Sequence, residues 1–339
     1  MDKRVIFAVA GSGKTTYLVN QLNEVDRFLI VTYTINNVRN LRISIIKRFG
    51  YLPSNIKLYS YYSFLYSFCY KPFYHQKLRD KGINYETKPS QYLKGNTREF
   101  YIDKFNRLYS ARISKLLLVG NNCENVIRRI SKYFDYLLID EIQDFGGNDF
   151  NLLKRLATSN LNQIYVGDFF QHTYDTGRDG AINSTLHNLL SNYLNEFHDM
   201  GMKPDLATLS KSYRCSPTSC RFITEKLGIE IYSHRKDETK IIYINRKEDA
   251  KKIVDDNAIV KLFYQQHKNH ACFSRNWGES KGEDNYYDVC VVLNKTTFKK
   301  YSENKLHELA PITRNKLYVA LSRAKNNLYI LSQDLISVM

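Results

Sequence analysis

The sequence predicts an α/β protein of two lobes, each built around a sheet of parallel strands. The chain has 339 residues, which fits two domains of ordinary size. Hydrophobic residues make up 43% of the chain and charged residues 25%, so both lobes can bury a core. Short apolar segments recur between longer, partly helical ones, which is the pattern of parallel strands joined by helical crossovers.

The apolar segments give the predicted order of strands. In the first lobe we predict strands at 5–9, 28–32, 56–59, 136–140 and 163–166. In the second lobe we predict strands at 240–244, 270–274, 289–293 and 328–331. The segment 199–204 contains Gly201 and Pro204, and we place the hinge there. The predicted domains are therefore 1–204 and 205–339.

The charge of the chain suggests a polyanionic partner. The chain has 50 Lys and Arg against 34 Asp and Glu, a net charge of +16. Residues 67–130 hold 13 Lys and Arg against 5 Asp and Glu, with aromatic residues interleaved. Neutralised backbone charge combined with base stacking is typical of single-strand binding. The alternative is a solvated helical face whose aromatic residues lie in the core.

Composition also excludes several classes of protein. No apolar run approaches the length of a membrane span, and the N-terminus enters an apolar strand without the features of a signal peptide. We therefore expect a cytoplasmic protein with no membrane contact. The six cysteines lack paired C-x2-C spacing, so we expect reduced thiols and no zinc site.

The first chemical motif is AVAGSGKT at residues 8–15, between a predicted strand and a predicted helix. It fits the phosphate-binding pattern G-x4-G-K-[ST] except that Ala8 replaces the first glycine. Backbone N–H groups of such a loop surround phosphates, the lysine adds positive charge and the hydroxyl ligates Mg²⁺. The predicted nucleotide-binding residues are Ala10, Gly11, Ser12, Gly13, Lys14, Thr15 and Thr16.

The second motif is LLIDEIQD at residues 137–144. An apolar strand that ends in Asp-Glu places Asp140 to hold Mg²⁺ and Glu141 to activate the attacking water. An Asp-Glu pair after a strand is more often a cap or a surface pair. The phosphate-binding loop in the same predicted sheet favours the catalytic interpretation here.

Together, GSGKT and DEIQD resemble superfamily 1 helicases of the UvrD/Rep class, and the remaining motifs of that class follow in order. They are TYT at 32–34, SYYSF at 60–64, VGDFFQHTY at 166–174, SYRCS at 212–216, WGESKG at 277–282 and LYVALSRA at 317–324. The motifs cover residues 8–324. The resemblance implies two RecA-like P-loop NTPase lobes, ATP and Mg²⁺ as cofactors, and single-stranded or tailed duplex DNA as partner.

The resemblance also implies roles for individual residues. Arg214 and Arg323 would be arginine fingers from the second lobe, and Gln171 would sense the γ-phosphate. Tyr213 would stack on adenine, with Arg42 and Asp284 also at the nucleotide. The implied DNA contacts are Thr32, Tyr33, Tyr61, Ser63, Tyr174 and Lys281. For each tyrosine taken alone, packing in the core is nearly as good an interpretation.

The sequence also departs from the family pattern. The glutamine motif that precedes the phosphate-binding loop in the family is absent, and only 67 positions separate Arg214 from Lys281. Accessory insertions are therefore expected to be small. This brevity, and the form GESKG, resemble the compact UvrD-like proteins encoded beside OLD-family nucleases in Gabija-type anti-phage systems.

Three functions follow as alternatives. The first is a DNA helicase or translocase, with 3′→5′ polarity implied by the resemblance. The second is a nucleic-acid-stimulated ATPase subunit that regulates a partner nuclease of the OLD family without unwinding. The third is an RNA-directed motor, for which the sequence has no specific feature such as an RNP1-type aromatic motif.

Overall fold

The computed structural model describes residues 1–87, 89–90, 92–95, 97–119, 122–174 and 180–336. The chain divides into two compact units. Unit 1 comprises Met1–Ile6, Lys14–Gly167 and Asp175–Asp205, and unit 2 comprises Phe7–Gly13, Asp168–Tyr174 and Leu206–Met339. The loop that ends at Gly13 and the segment 168–174 therefore group with unit 2, although unit 1 flanks both in sequence.

The sheet of unit 1 has six strands in the order β3-β2-β6-β7-β1-β8. The pairs β2–β3, β2–β6, β6–β7 and β1–β8 are parallel, while the short β4 and β5 form a separate parallel pair. The bounds are β1 Lys3–Phe7, β2 Phe28–Thr32, β3 Ile56–Ser60, β4 Ile83–Asn84, β5 Leu108–Tyr109, β6 Tyr136–Asp140, β7 Asn162–Gly167 and β8 Lys203–Asp205.

Helices accompany these strands in unit 1. They are α1 Lys14–Asn20, α2 Ile35–Phe49, α3 Tyr61–Ser63, α4 Lys71–Leu78, α5 Arg98–Tyr101, α6 Ile113–Leu118, α7 Asn122–Tyr133, α8 Gly147–Leu156 and α9 Leu190–Asp199. Helix α2 begins after Thr34, whose side chain accepts the N–H of Asn37, and it ends at Gly50 with a φ of 81°. Both are ordinary helix signals, a hydroxyl N-cap and a left-handed glycine at the C-terminus.

Unit 2 has a five-stranded parallel sheet in the order β11-β15-β14-β12-β13 and a separate parallel pair, β9 and β10. Its strands are β9 Lys211–Ser212, β10 Tyr232–Ser233, β11 Ile241–Ile244, β12 Ile259–Phe263, β13 Ser274–Asn276, β14 Asp288–Leu293 and β15 Leu328–Ser332. Its helices are α10 Pro217–Leu227, α11 Lys247–Asp255, α12 Lys295–Ser302 and α13 Pro311–Leu321. The core lies between these helices and the buried strands β12, β14 and β15.

The predicted class, α/β with parallel sheets, is confirmed. The predicted strands 28–32 and 136–140 have the observed bounds. The strand predicted at 270–274 is wrong, because β13 begins only at Ser274, and β12 was not predicted. None of the helices in the described ranges combines the length and apolar composition of a membrane span.

Candidate functional site

Asp140 is the centre of a buried carboxylate cluster in unit 1. Strands β2 and β6 are parallel, and Thr32 lies opposite Asp140 at their carboxyl ends. The Thr32 hydroxyl donates to Asp140 Oδ2 over 3.1 Å, whereas Oδ1 accepts no hydrogen bond from the part of the chain that the structure describes. Burial, and then the charge of Glu141, raise the pKa of Asp140 to about 7.

Glu141, the second carboxylate of this cluster, has an unusual backbone conformation. Its φ is 56° and its ψ is 50°, the left-handed region that non-glycine residues adopt rarely and at a cost of about 1–3 kcal/mol. The Gln143 amide donates to its carboxylate, and the Lys14 ammonium lies 4.0 Å from the other oxygen. The structure thus brings together Lys14, Asp140 and Glu141, three residues that the motifs predicted.

Gln143 and Gly167 contribute to this cluster although no role was predicted for either. Gln143 is fully buried. A Cβ at Gly167, the last residue of β7, would lie 2.2 Å from Gln143 Oε1 and 2.9 Å from the Ile142 nitrogen. Only glycine therefore leaves room for the turn that follows Glu141. The signal in the sequence is the glutamine of DEIQD, the third residue after Asp140.

The other predicted nucleotide residues of unit 1 differ in accessibility. Thr15 is partly buried in the first turn of α1, one residue after Lys14. Thr16 is exposed, and Arg42 lies exposed on α2. Their predicted contacts with a nucleotide stay predictions.

In unit 2, the loop 8–13 that was predicted to bind phosphate packs closely against the SYRCS segment. The Tyr213 N–H donates to Gly11 O over 2.8 Å. Gly11 has a φ of 70°, and a Cβ there would lie 2.7 Å from Arg214 Cβ, so both conformation and space require glycine. Ser12 is buried, and its hydroxyl has no hydrogen-bond partner among the described residues.

Tyr318 links the loop to the segment that carries Gln171, also within unit 2. Its hydroxyl accepts the Ala10 N–H over 2.9 Å and donates to Asp168 Oδ2 over 3.1 Å. The Gln171 amide donates to the same carboxylate oxygen over 3.0 Å. Tyr318 lies in LYVALSRA and Asp168 in VGDFFQHTY, but their connection depends on a contact across 150 positions of sequence.

The predicted arginine fingers form a positive cluster in unit 2. Arg323 is only 2% exposed, and its guanidinium donates to backbone oxygens of Val319, Ser280 and Glu283. Burial, and then the positive charge of Arg214, lower the pKa of Arg323 to about 10. Arg214 pairs with Asp284, and the same carboxylate lies 3.6 Å from Arg323. The structure therefore gathers Arg214, Arg323 and Asp284, with two cations sharing one exposed carboxylate.

The DNA contacts predicted in unit 1 are only partly accessible. Thr32 is buried against Asp140, and Tyr61 is fully buried with its hydroxyl 2.9 Å from Ser114 Oγ. Tyr33 is partly exposed and stacks on Tyr61, with ring centroids 5.5 Å apart. Ser63 is exposed at the end of α3. Tyr33 and Ser63 are thus the members of this set that reach solvent.

Two DNA contacts were predicted in unit 2. Tyr174 is 50% exposed, and the Lys316 ammonium lies 5.9 Å from its ring centroid. A Cβ at Gly278 would lie 3.2 Å from the Tyr174 hydroxyl, so the WGESKG segment approaches Tyr174 closely. Lys281 is partly exposed at the end of this segment.

The basic insert, residues 67–130, mixes exposed and buried groups. Residues 88, 91, 96, 120 and 121 lie outside the described residues. Tyr85, Tyr92 and Phe105 are exposed, whereas Tyr70, Phe100 and Tyr101 are buried. Arg107 pairs with Asp103 over 3.0 Å, and Arg98 donates to Asn106 over 2.8 Å. Part of the positive charge therefore stabilises the insert itself, and other members such as Lys77, Lys81 and Lys104 are exposed.

Comparisons with known proteins relate the chain to helicases. Residues 74–177 match the model of the UvrD/REP helicase N-terminal domain. A probable DNA helicase II homolog of Mycoplasma genitalium is 22% identical over 321 residues, covering 74% of this chain and 44% of the relative. A probable DNA helicase II homolog of Mycoplasma pneumoniae is 27% identical over 155 residues, covering 44% of this chain and 19% of the relative.

A solved structure is similar to this chain in its fold. It is the crystal structure of Arterivirus nonstructural protein 10, a helicase. The superposition covers 99% of this chain and 62% of the Arterivirus chain, with a TM-score of 0.50 and 15% sequence identity. This likeness supports the fold of RecA-like lobes with parallel sheets. The family match is confined to residues 74–177, the curated relatives are probable DNA helicase II homologs, and the chain spans less than half the length of those relatives. The likeness to compact anti-phage proteins stays a prediction.

Proposed function

We propose that this chain is an ATP-dependent motor of the UvrD-like type that binds single-stranded DNA and couples ATP hydrolysis to 3′→5′ movement or unwinding. The observation that carries the proposal is the carboxylate cluster of unit 1. Asp140 is buried with one unpaired oxygen, and Glu141 is held beside it by Gln143 near Lys14. Burying a carboxylate with one oxygen unpaired is costly, so the arrangement favours a role in which that oxygen binds a cation.

The cluster fits a divalent cation of the magnesium type. No group of three or more His, Cys, Asp or Glu with metal-binding geometry occurs among the residues described. Mg²⁺ needs no such group, because it keeps several waters and takes one or two protein oxygens together with phosphate. Asp140 and the Thr15 hydroxyl would hold it. When bound, it would neutralise charge on the phosphates of ATP.

The remaining residues of the cluster supply binding and proton transfer. The Lys14 ammonium would pair with the β- and γ-phosphates, while N–H groups of the Ala10–Gly13 loop surround them. Glu141 would accept a proton from the attacking water at its carboxylate. Gln143 would keep that carboxylate in place, because its amide is buried and already donates to Glu141.

Arg214, Arg323 and Gln171 would act on the phosphates from unit 2. The two guanidiniums share one exposed carboxylate, so positive charge remains to offset negative charge in the transition state. Gln171 is held by Asp168, and through Tyr318 it is connected to Ala10 of the loop. This connection would let Gln171 respond to the presence or absence of the γ-phosphate.

DNA is proposed as the nucleic acid because both curated relatives are named as DNA helicase homologs. Tyr33 and Ser63 in unit 1, and Tyr174 and Lys281 in unit 2, would contact the strand by stacking and hydrogen bonding. Exposed lysines of the basic insert would add contacts to phosphates.

The test combines ATP turnover with unwinding of a 3′-tailed duplex by the purified chain. We expect turnover that needs Mg²⁺ and rises strongly with single-stranded DNA, and Lys14→Ala should abolish it. A 5′-tailed duplex and single-stranded RNA serve as matched substrates for polarity and strand type. Stimulated turnover without movement on any DNA would favour the ATPase subunit that regulates a nuclease, and absence of turnover with every nucleic acid would contradict the proposal.

A further inference from the structure

Two exposed rings, Tyr213 and His234, are stacked at the end of the smallest sheet in unit 2. Strands β9 and β10 are parallel, with Ser212 opposite Ser233. The residues that follow are Tyr213 and His234, so they leave the sheet side by side. Their ring centroids are 4.0 Å apart and the planes differ by 14°. The two rings face each other at a distance shorter than the about 4.5–7 Å usual for aromatic pairs.

The backbone around His234 is fixed by several hydrogen bonds. The His234 N–H donates to Ser212 O over 2.9 Å, and the Ser233 hydroxyl donates to Cys215 O over 2.7 Å. The next residue, Arg235, donates to the carbonyl oxygens of Arg214 and Lys325 and pairs with Asp237. The imidazole is therefore carried by an anchored segment.

Tyr213 is held against the phosphate-binding loop and still has open surface. Its N–H is bonded to Gly11, and a Cβ at Gly13 would lie 3.8 Å from Cε2 at the ring edge. Although His234 covers one face, the residue remains 64% exposed. A tyrosine ring with this much exposed surface can take part in a further stacking contact. The uncovered face beside the loop is where a planar group attached to a phosphate chain would lie.

We propose that His234 is a positioning residue for the nucleobase. Its imidazole stacks on one face of the Tyr213 ring and keeps that ring parallel to a base that stacks on the open face. The proposal rests on the proposed nucleotide site. Stacking does not use hydrogen bonds to distinguish one base from another, so its strength depends on the area of the stacked ring. The ligand class is therefore nucleoside triphosphates, with purines bound more tightly than pyrimidines through this pair of rings.

The experiment compares His234→Ala with His234→Phe, which keeps a flat ring. Equilibrium binding is measured by calorimetry for ATP, for CTP and for inorganic tripolyphosphate, which has no base. We expect His234→Ala to weaken ATP binding about three- to tenfold, the size of one aromatic pair. CTP binding should change less and tripolyphosphate binding should not change, while His234→Phe restores ATP affinity. In turnover, KM for ATP should rise while kcat stays constant.

Controls separate this role from a structural one. His198 is exposed on α9 in unit 1, so His198→Ala should leave every affinity unchanged. Equal weakening of ATP and tripolyphosphate by His234→Ala would show that the segment only supports the loop, and an unchanged ATP affinity would also overturn the proposal. If the wild type binds ATP without hydrolysing it, the proposed function fails while the binding comparison still tests His234. A wild type that binds no nucleotide overturns both.

Discussion

The carboxylate cluster of unit 1 and the arginine cluster of unit 2 hold charge of opposite sign in different ways. Asp140 and Glu141 are close like charges, supported mainly by neutral donors, Thr32 and Gln143. Arg214 and Arg323 are also close like charges, supported by carbonyl oxygens and one exposed carboxylate. In both clusters the pKa of a buried residue is shifted in the direction that favours its neutral form. The pKa of Asp140 is raised and the pKa of Arg323 is lowered.

The difference lies in how each cluster could be neutralised. A carboxylic acid with a pKa near 7 can take up a proton at physiological pH, whereas a guanidinium with a pKa near 10 remains charged. The acidic cluster can therefore be partly protonated when no cation is bound. The basic cluster keeps its charge and is paired only with Asp284, whose side chain is exposed, among the ion pairs of the described residues. Variants of the two clusters should differ accordingly.

The largest effect is expected in the arginine cluster. Arg323→Ala should lower DNA-stimulated turnover by about 10³–10⁵-fold, because an arginine finger stabilises charge in the transition state. DNA binding measured by anisotropy should change little. Arg323→Lys and a thermal melt check the fold, and Arg221→Ala, an exposed arginine on α10, is the matched control. Weakened DNA binding with intact stimulated turnover would remove Arg323 from the catalytic set.

The next largest effect is expected in the carboxylate cluster. Glu141→Gln keeps the size of the side chain and removes its basic oxygen, so single-turnover hydrolysis should fall by about 10²–10⁴-fold. ATP affinity should be unchanged or higher, since a negative charge beside the phosphates is lost. Glu225→Gln, at an exposed position of α10, should behave as the wild type. Turnover like that of the wild type in Glu141→Gln would exclude this residue as the base.

Asp140 should make stability depend on pH in the direction opposite to an ordinary salt-bridged carboxylate. Its folded pKa is raised to about 7, so between about pH 4 and pH 7 the folded state binds more protons than the unfolded state. Stability from this group therefore falls as pH rises through that window. Asp140→Asn should raise Tm at pH 8, without Mg²⁺ or nucleotide, by a few degrees and much less at pH 5. Equal Tm differences at both pH values would contradict the assignment.

The smallest effect is expected from the basic insert. Arg98 and Arg107 stabilise the insert through Asn106 and Asp103, so exposed lysines give the cleaner test. Reversing Lys77, Lys81 and Lys104 to Glu should reduce the slope of log K against log salt by about 0.7 for each lost phosphate contact on a single strand. The matched control reverses Lys247, Lys251 and Lys295, which are exposed in unit 2. An unchanged slope and affinity in the insert variant would favour a protein partner for this surface.

Local patterns predicted most strands, and one strand shows where they fail. Strand β12 reads Ile-Val-Lys-Leu-Phe, and its central lysine interrupts the apolar run. In the structure Lys261 is buried, and its ammonium donates to Asp256 O and Ile259 O over 2.8 and 3.0 Å. A charged residue is expected at the surface unless it is paired, and sequence alone does not show the pairing carbonyls.

By itself the sequence determined the α/β class and the group formed by Lys14, Asp140 and Glu141. Parallel strands bring their carboxyl ends to one edge, so motifs that follow such strands are placed by local rules. Only the tertiary structure decided that Gly167 makes room for Gln143, that Tyr318 joins Ala10 to Asp168, and that Tyr61 is buried. These facts depend on close packing between residues up to 308 positions apart, and such packing leaves no period or spacing in the chain.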